Sequence, residues 1–351
     1  TYTFLSEAAQ YQNHYYLMSL VAFLMILIPA HRWFSVDAVL FPDRASPVIP
    51  NWCRWILMFQ IGIPYFFGGI AKIEWDWMHA MPALYWFPEN STGLPLVGPL
   101  LAYPAAAWFI SWFGLVFDLV VVPLLLWKPT RIWVYAGAVV FHVSNSILFR
   151  IDVFPWMMIG ATLIFFPPDW PRRLLRLSSP SAEATSGTSS SSHSFRQRFT
   201  AGFLVIYIMW QILFPFRHWL YPGNPSWTEE GQLFAWRMML RHKRSFFVLF
   251  ATDAASGRMV EVPLPRLVAP KQMYEISVSP YQMAACAPFL AEWARRDLGF
   301  QEVEIRAFVL CSLNGRKAQY PVDPDLTLLT VDRGIRPQAG ITPLTEPLPA
   351  E

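Results

Sequence analysis

Lys72 closes a nearly uncharged apolar run that begins near Asn51, in the segment Phe67-Gly68-Gly69-Ile70-Ala71-Lys72-Ile73-Glu74-Trp75-Asp76-Trp77. An ammonium at the edge of hydrocarbon loses hydration, which favours the uncharged amine, so a lysine here can act as a base near neutral pH. The plainer reading is a lysine snorkelling toward headgroups beside an aromatic belt, with Glu74 and Asp76 interleaved between Trp75 and Trp77. His142 lies nine residues into a later apolar run, and Asn145 follows about one turn on, so both face the same way. Snorkelling explains a histidine so deep less readily, and a helix-to-helix hydrogen bond is its bland alternative. Asp118 sits inside a third run and needs a partner, which Lys72 or Arg150 can supply. Asn13 and His14 precede the first run, where a helix cap and an interfacial residue are the ordinary expectation. Brought together, Lys72, His14, His142 and Asn145 make a buried polar site holding a base, imidazoles and an amide.

No nucleotide, phosphate or metal motif competes with that site. The sequence has no Gly-x-Gly-x-x-Gly, no Gly-Lys-Ser/Thr loop, no Cys-x-x-Cys and no His-Glu-x-x-His. His31, His79, His193 and His218 fall in loops or at the ends of runs, and a transition-metal site shows denser ligand clustering, so no metal is expected.

The elements that must position these residues are membrane helices. With 54% hydrophobic and 15% charged residues, the chain is too apolar for an ordinary soluble domain. A span needs roughly 20 apolar residues, and the candidates are Tyr15–Ala30, Trp52–Ala71, Leu96–Trp127, Trp133–Phe166 and Phe203–Trp219. The fourth reads as one long helix or as two segments meeting at Arg150-Ile151-Asp152, with Pro155 reinforcing the break. Five to seven membrane segments follow. A net charge of +3 implies no nucleic-acid partner.

Arg172, Arg173, Arg176, Arg196 and Arg198 cluster before the last span, which by the positive-inside rule places that loop in the cytoplasm and the C-terminal domain outside. The expected domains are a helical membrane domain (1–177), a disordered Ser-rich cytoplasmic linker (178–199), a final transmembrane helix (200–221) and an α+β extracytoplasmic domain (222–351). The fold class is thus a multi-pass α-helical membrane protein with a small C-terminal α+β extramembrane domain. Phe246–Phe250, Met259–Val262 and Val303–Leu310 read as strands, Asp253–Gly257 and Asn314-Gly315 as hairpin turns, and Tyr281–Leu298 as an amphipathic helix. Sequence leaves a Cys286–Cys311 bridge open. The chain starts at Thr1 without a basic-then-apolar signal pattern, so a further segment is expected upstream.

Several segments together resemble the vitamin K-dependent γ-glutamyl carboxylase family. They are Asn13-His14-Tyr15-Tyr16-Leu17, Arg32-Trp33-Phe34-Ser35-Val36-Asp37, Phe67 to Trp77, Phe141-His142-Val143-Ser144-Asn145-Ser146-Ile147-Leu148-Phe149 and Phe166-Pro167-Pro168-Asp169-Trp170-Pro171-Arg172. Beyond the Ser-rich stretch the resemblance continues through Ser226-Trp227-Thr228 and Phe234-Ala235-Trp236-Arg237-Met238-Met239 to Asn314-Gly315-Arg316, in order along nearly the whole chain. It implies a microbial member in a bacterial inner membrane. The implied activity deprotonates and oxygenates reduced vitamin K, or menaquinol, to its epoxide and carboxylates peptide glutamate, with O2 and CO2 as co-substrates. Carried over by residue, Lys72 is the initiating base, His14 stabilises the reaction and His142 is a second functional histidine. The chemistry agrees, because a hydroquinone is a weak acid and a dry pocket keeps water from quenching a strong base. Trp227, Trp236, Arg237, Arg241 and Lys243 become candidate contacts for a Glu-containing peptide, and the membrane lipid and quinone are the remaining partners.

The sequence also departs from the family. Phe234 stands where animal members carry a tyrosine near the substrate glutamate, Arg241-His242-Lys243-Arg244 keeps basic character at altered spacing, and the propeptide-recognition region is largely absent. A quinol oxygenase without carboxylation therefore stays open, as does a non-enzymatic lipid-binding or transport bundle in which Asp118, His142 and Lys72 form a structural network.

Overall fold

The structure, a computed structural model, describes residues 11–32, 35–46, 48–95, 97–149, 151–176, 195–331, 337–338 and 340–349. It is mostly helical, with one small antiparallel sheet. Four helices are long and apolar enough to cross a membrane: Asn51–Ala71, Pro104–Leu126, Arg131–Phe149 and Gln197–Leu220. Asn13–Leu27 and Phe154–Phe165 are shorter apolar helices. The chain forms two compact units. One consists of Gln12–Ile70 with Val116–Phe214; the other combines Tyr11, Ala71–Leu115 and Pro215–Glu351.

The run from Trp133 to Phe166 resolves into two helices, with the break after Phe149. Asp152 adopts a positive φ of 32°, which no helix interior accepts, and Pro155 occupies the first turn of the second helix, where its missing N–H costs nothing. The Leu96–Trp127 run also divides: Gly98–Leu101 is a separate turn, and the long helix starts at Pro104. The Ser-rich stretch lies outside the described residues up to Ser194, and helix is in place from Phe195. Arg150 is outside them as well.

Within the first unit, close approach and arginine caps hold the helices. A Cβ on Gly69 would sit 2.6 Å from the Leu119 side chain and 3.2 Å from its main-chain nitrogen, so only glycine allows the Asn51–Ala71 helix to pass so near its neighbour. Arg54 donates to the carbonyls of Ile164, Phe165 and Phe166, and Arg131 to those of Leu125 and Leu126. Both guanidinium groups satisfy helix C-terminal acceptors that hydrocarbon would otherwise leave unpaired.

In the second unit, strands β1 (Lys243–Asp253), β2 (Met259–Glu261) and β3 (Val303–Leu313) pair in the order β2-β1-β3. The Asp253–Gly257 turn forms as the sequence suggests: Asp253 accepts from Ser256 and from the N–H groups of Gln301 and Glu302. Alternate residues Leu249, Ala251, Ile305, Ala307 and Val309 face the core with Met283, Leu290 and Ala294 of the Pro280–Leu298 helix. Cys53, Cys286 and Cys311 are free thiols, so the Cys286–Cys311 bridge is not formed. Burial pushes the Cys286 thiol up to about 12 and Cys311 to about 11, the state of inert structural cysteines.

Candidate functional site

In the first unit the site is built around His142, only 2% exposed. Its Nε2 lies 2.6 Å from the hydroxyl of Tyr65, which the Asn51–Ala71 helix projects toward it. The same hydroxyl is 3.5 Å from Thr162 Oγ1, and Thr162 donates its own hydrogen to the Met158 carbonyl at 2.6 Å. Thr162 can therefore only accept from Tyr65. The shorter contact directs the Tyr65 hydrogen to Nε2, which leaves the hydrogen of the neutral imidazole on Nδ1. That nitrogen is buried and has no hydrogen-bond partner among the described residues.

Phe154, at the start of the next helix, is near both histidines: its ring centroid is 6.1 Å from that of His14 and 6.2 Å from that of His142. Phe117 and Phe141, with centroids 4.6 Å apart, complete an aromatic lining. The structure thus brings His14 and His142 together, with Asn145 half-buried one turn from His142. Tyr65 was not singled out from sequence, because a tyrosine in an apolar run carries no signal of its own. Tyr65→Phe deprives His142 of its partner at Nε2, and denaturation should register a loss of about 1–3 kcal/mol; a variant as stable as the parent would show that the bond contributes nothing.

Lys72 belongs to the second unit. It is 7% exposed, and its Nζ lies 5.1 Å from the centroid of the Trp77 ring. Trp77 is held in turn by its Nε1, which donates to the Ser111 carbonyl at 2.8 Å. The two acids after Lys72 turn inward while Ile73 and Trp75 turn out. Asp76 accepts two 2.6 Å bonds from Arg316 and one of 2.8 Å from Asn314 Nδ2. Glu74 accepts from Arg237 Nη2 at 2.7 Å, and that nitrogen also reaches Ser226 Oγ at 3.1 Å. Buried, arginine-paired acids are not what a simple headgroup belt displays.

Burial holds the Glu74 carboxyl above its ordinary range, and Arg237 offsets this only in part. A carboxyl raised on folding stabilises the fold below its unfolded value of 4.5 and loses that contribution as pH rises through the folded one. Melting of Glu74→Gln should therefore gain on the parent as pH rises from 4.5 toward neutrality. A constant difference between the two proteins would contradict this.

The proposed peptide contacts separate into two groups. Trp227 is fully buried in the domain core and donates through Nε1 to Thr342 O. Lys243 places its Nζ within bonding distance of Trp227 O, Val278 O and Glu229 Oε1, at 2.8, 2.9 and 2.6 Å, which engages all three hydrogens. Both are engaged within the domain fold. Arg241 pairs with the same Glu229. Arg237 reaches the Lys72 segment through Glu74, and Trp236, its neighbour in sequence, is fully buried. Glu229, Phe234, Trp236 and Met239 all have positive φ, a concentration of backbone strain. Tyr11 brings a hydroxyl to this loop, accepting from the Phe234 N–H at 2.8 Å. No metal-binding group of His, Cys, Asp and Glu occurs among the described residues.

Residues 1–170 match the HTTM domain model, and residues 196–346 match that of the vitamin K-dependent gamma-carboxylase lumenal domain. No solved structure matches the chain.

Proposed function

The chain belongs to the vitamin K-dependent gamma-carboxylase family, and from that premise we propose that it converts a reduced naphthoquinone to its epoxide and couples this to carboxylation of peptide glutamate. Its apolar helices and lumenal-type domain support a membrane protein. We place the sheet-bearing unit outside the cytoplasm. The cluster of Arg172 and Arg173 ahead of the last apolar helix supports this, since the positive-inside rule assigns such a loop to the cytoplasm.

The observation that carries the proposal is Lys72, buried on the face of Trp77 and followed by acids that arginines of its own unit engage. The Phe117, Phe141 and Phe154 rings, with a buried imidazole nitrogen beside them, fit a flat apolar ring bearing polar oxygens. Reduced vitamin K, with O2, supplies when bound the strong base that removal of a glutamate γ-proton demands. In the second unit Lys72 accepts the proton of a weakly acidic hydroxyl; in the first, taken by itself, His142 can donate from Nδ1, and His14 belongs to an apolar wall that excludes water. Asn145 offers a further amide, and Trp236, Arg237 and Arg241 flank the strained loop that would receive the glutamate. The Tyr11 hydroxyl beside Phe234 takes the place of the tyrosine missing there.

Oxygenation without carboxylation is the second reading, favoured by the engagement of Lys243 and Trp227 in the fold. The test is reconstitution of the purified protein in bilayers with reduced vitamin K, O2 and 14C-bicarbonate, with and without a Glu-containing peptide. Epoxide together with labelled peptide is expected. Epoxide alone would select the second reading, and the absence of both would sink the enzyme proposal.

A further inference from the structure

The turn that closes β3 is docked on the segment that carries Lys72. Asn314 and Gly315 have φ of +51° and +77°, the consecutive left-handed pair of a tight reversal. Asn314 is wholly buried; its Oδ1 accepts from His242 N at 2.7 Å, while Nδ2 donates to Leu240 O at 3.2 Å and to Asp76. A Cβ at Gly315 would collide with the Tyr85 hydroxyl, so glycine alone lets the turn reach the Ala83–Asn90 helix. Arg316 fixes its Nε on Glu346 O at 3.0 Å and directs both terminal nitrogens at Asp76.

Asp76 lies within the one-turn helix Trp75–Met78, and its main-chain carbonyl accepts from His79 and Met81. The next residue is Trp77, whose ring faces the Lys72 amine. A continuous series of contacts thus runs from Arg316 and Asn314 through Asp76 and Trp77 to Lys72. Sequence marks Asn314-Gly315 as a turn and gives Arg316 no task.

We propose that Arg316 and Asn314 are positioning residues for Lys72, locking the Trp75–Met78 turn so that Trp77 presents its face to the amine. This rests on the reading of Lys72 as the base. Two variants probe it in the full-length protein in lipid nanodiscs. Arg316→Lys keeps the charge but loses the planar fork, and Asn314→Gly keeps the left-handed turn but loses the amide.

The readout is the rate at which a small amine-reactive reagent acylates Lys72, followed by mass spectrometry with exposed Lys271 as internal reference, well below each melting temperature. Each variant should change the Lys72 rate relative to Lys271 by roughly fivefold or more, as displacement of a positioned group does. In a Trp77→Leu background, Arg316→Lys should add nothing, because its effect passes through the ring. Lys72 rates equal to the parent's, or fold-changes that multiply across the two sites, would overturn the proposal. So would loss of folding in both variants, which would assign these contacts to the fold rather than to the amine. Labelling requires no turnover, so a failed base assignment shows separately, as unimpaired epoxide formation after loss of Lys72.

Discussion

Replacing Lys72 with alanine should reduce epoxide formation by about 10²- to 10⁴-fold, the range that a positioned acid or base contributes, while the protein melts as its parent does. The activity loss follows from removing the proton acceptor. The unchanged melting is the sharper half, because a structural network of Lys72, Asp118 and His142 would leave buried groups unpaired and weaken the fold. Lys72→Arg separates charge from basicity. A guanidinium over the Trp77 ring retains the cation–π contact, yet it stays protonated and cannot accept a proton. Both variants should therefore be inactive. Parental turnover in Lys72→Ala would remove Lys72 from the chemistry, and parental turnover in Lys72→Arg would make it a fixed cation.

The second large effect concerns stability. Asp76→Ala leaves the buried Arg316 fork and the Asn314 amide without the carboxylate that receives three bonds from them. Stranding one partner of a buried pair costs about 3–5 kcal/mol, more than the pair itself need contribute. Asp76→Ala/Arg316→Met, which removes both charges, should recover a substantial part of that loss. The measurement is resistance to denaturation in matched detergent. A single variant within about 1 kcal/mol of the parent, the usual size of an exposed pair, would show that water already reaches Asp76.

Much of the fold was legible because its signals are local. Apolar runs marked the long helices, alternation marked Val303–Leu310, and Asn314-Gly315 announced its turn. The break near residue 151 was foreseen as one of two options, and the positive φ at Asp152 with Pro155 in the next first turn shows why it falls there. Lys72, His14 and His142 stood out because polar groups are conspicuous in apolar surroundings. What remained hidden depends on distant pairing. Arg316 meets Asp76 across 240 positions and Arg237 meets Glu74 across 163, and no periodicity encodes either partner. Tyr65 escaped for the opposite reason, since its surroundings are those of any membrane tyrosine and only the histidine beside its hydroxyl distinguishes it.

The compact unit that contains the sheet takes Ala71–Leu115 from upstream of the Ser-rich stretch and Pro215–Glu351 from downstream of it. Severing the polypeptide within that stretch would divide the carboxylates of Glu74 and Asp76 from the guanidinium groups of Arg237 and Arg316. Neither half would be self-sufficient: a truncated fragment starting at residue 222 would expose two orphaned cations and the vacated seat of the Trp75–Met78 turn. Co-produced halves, by contrast, carry a built-in means of finding each other, so this protein lends itself to fragment complementation and resists reduction to a soluble domain.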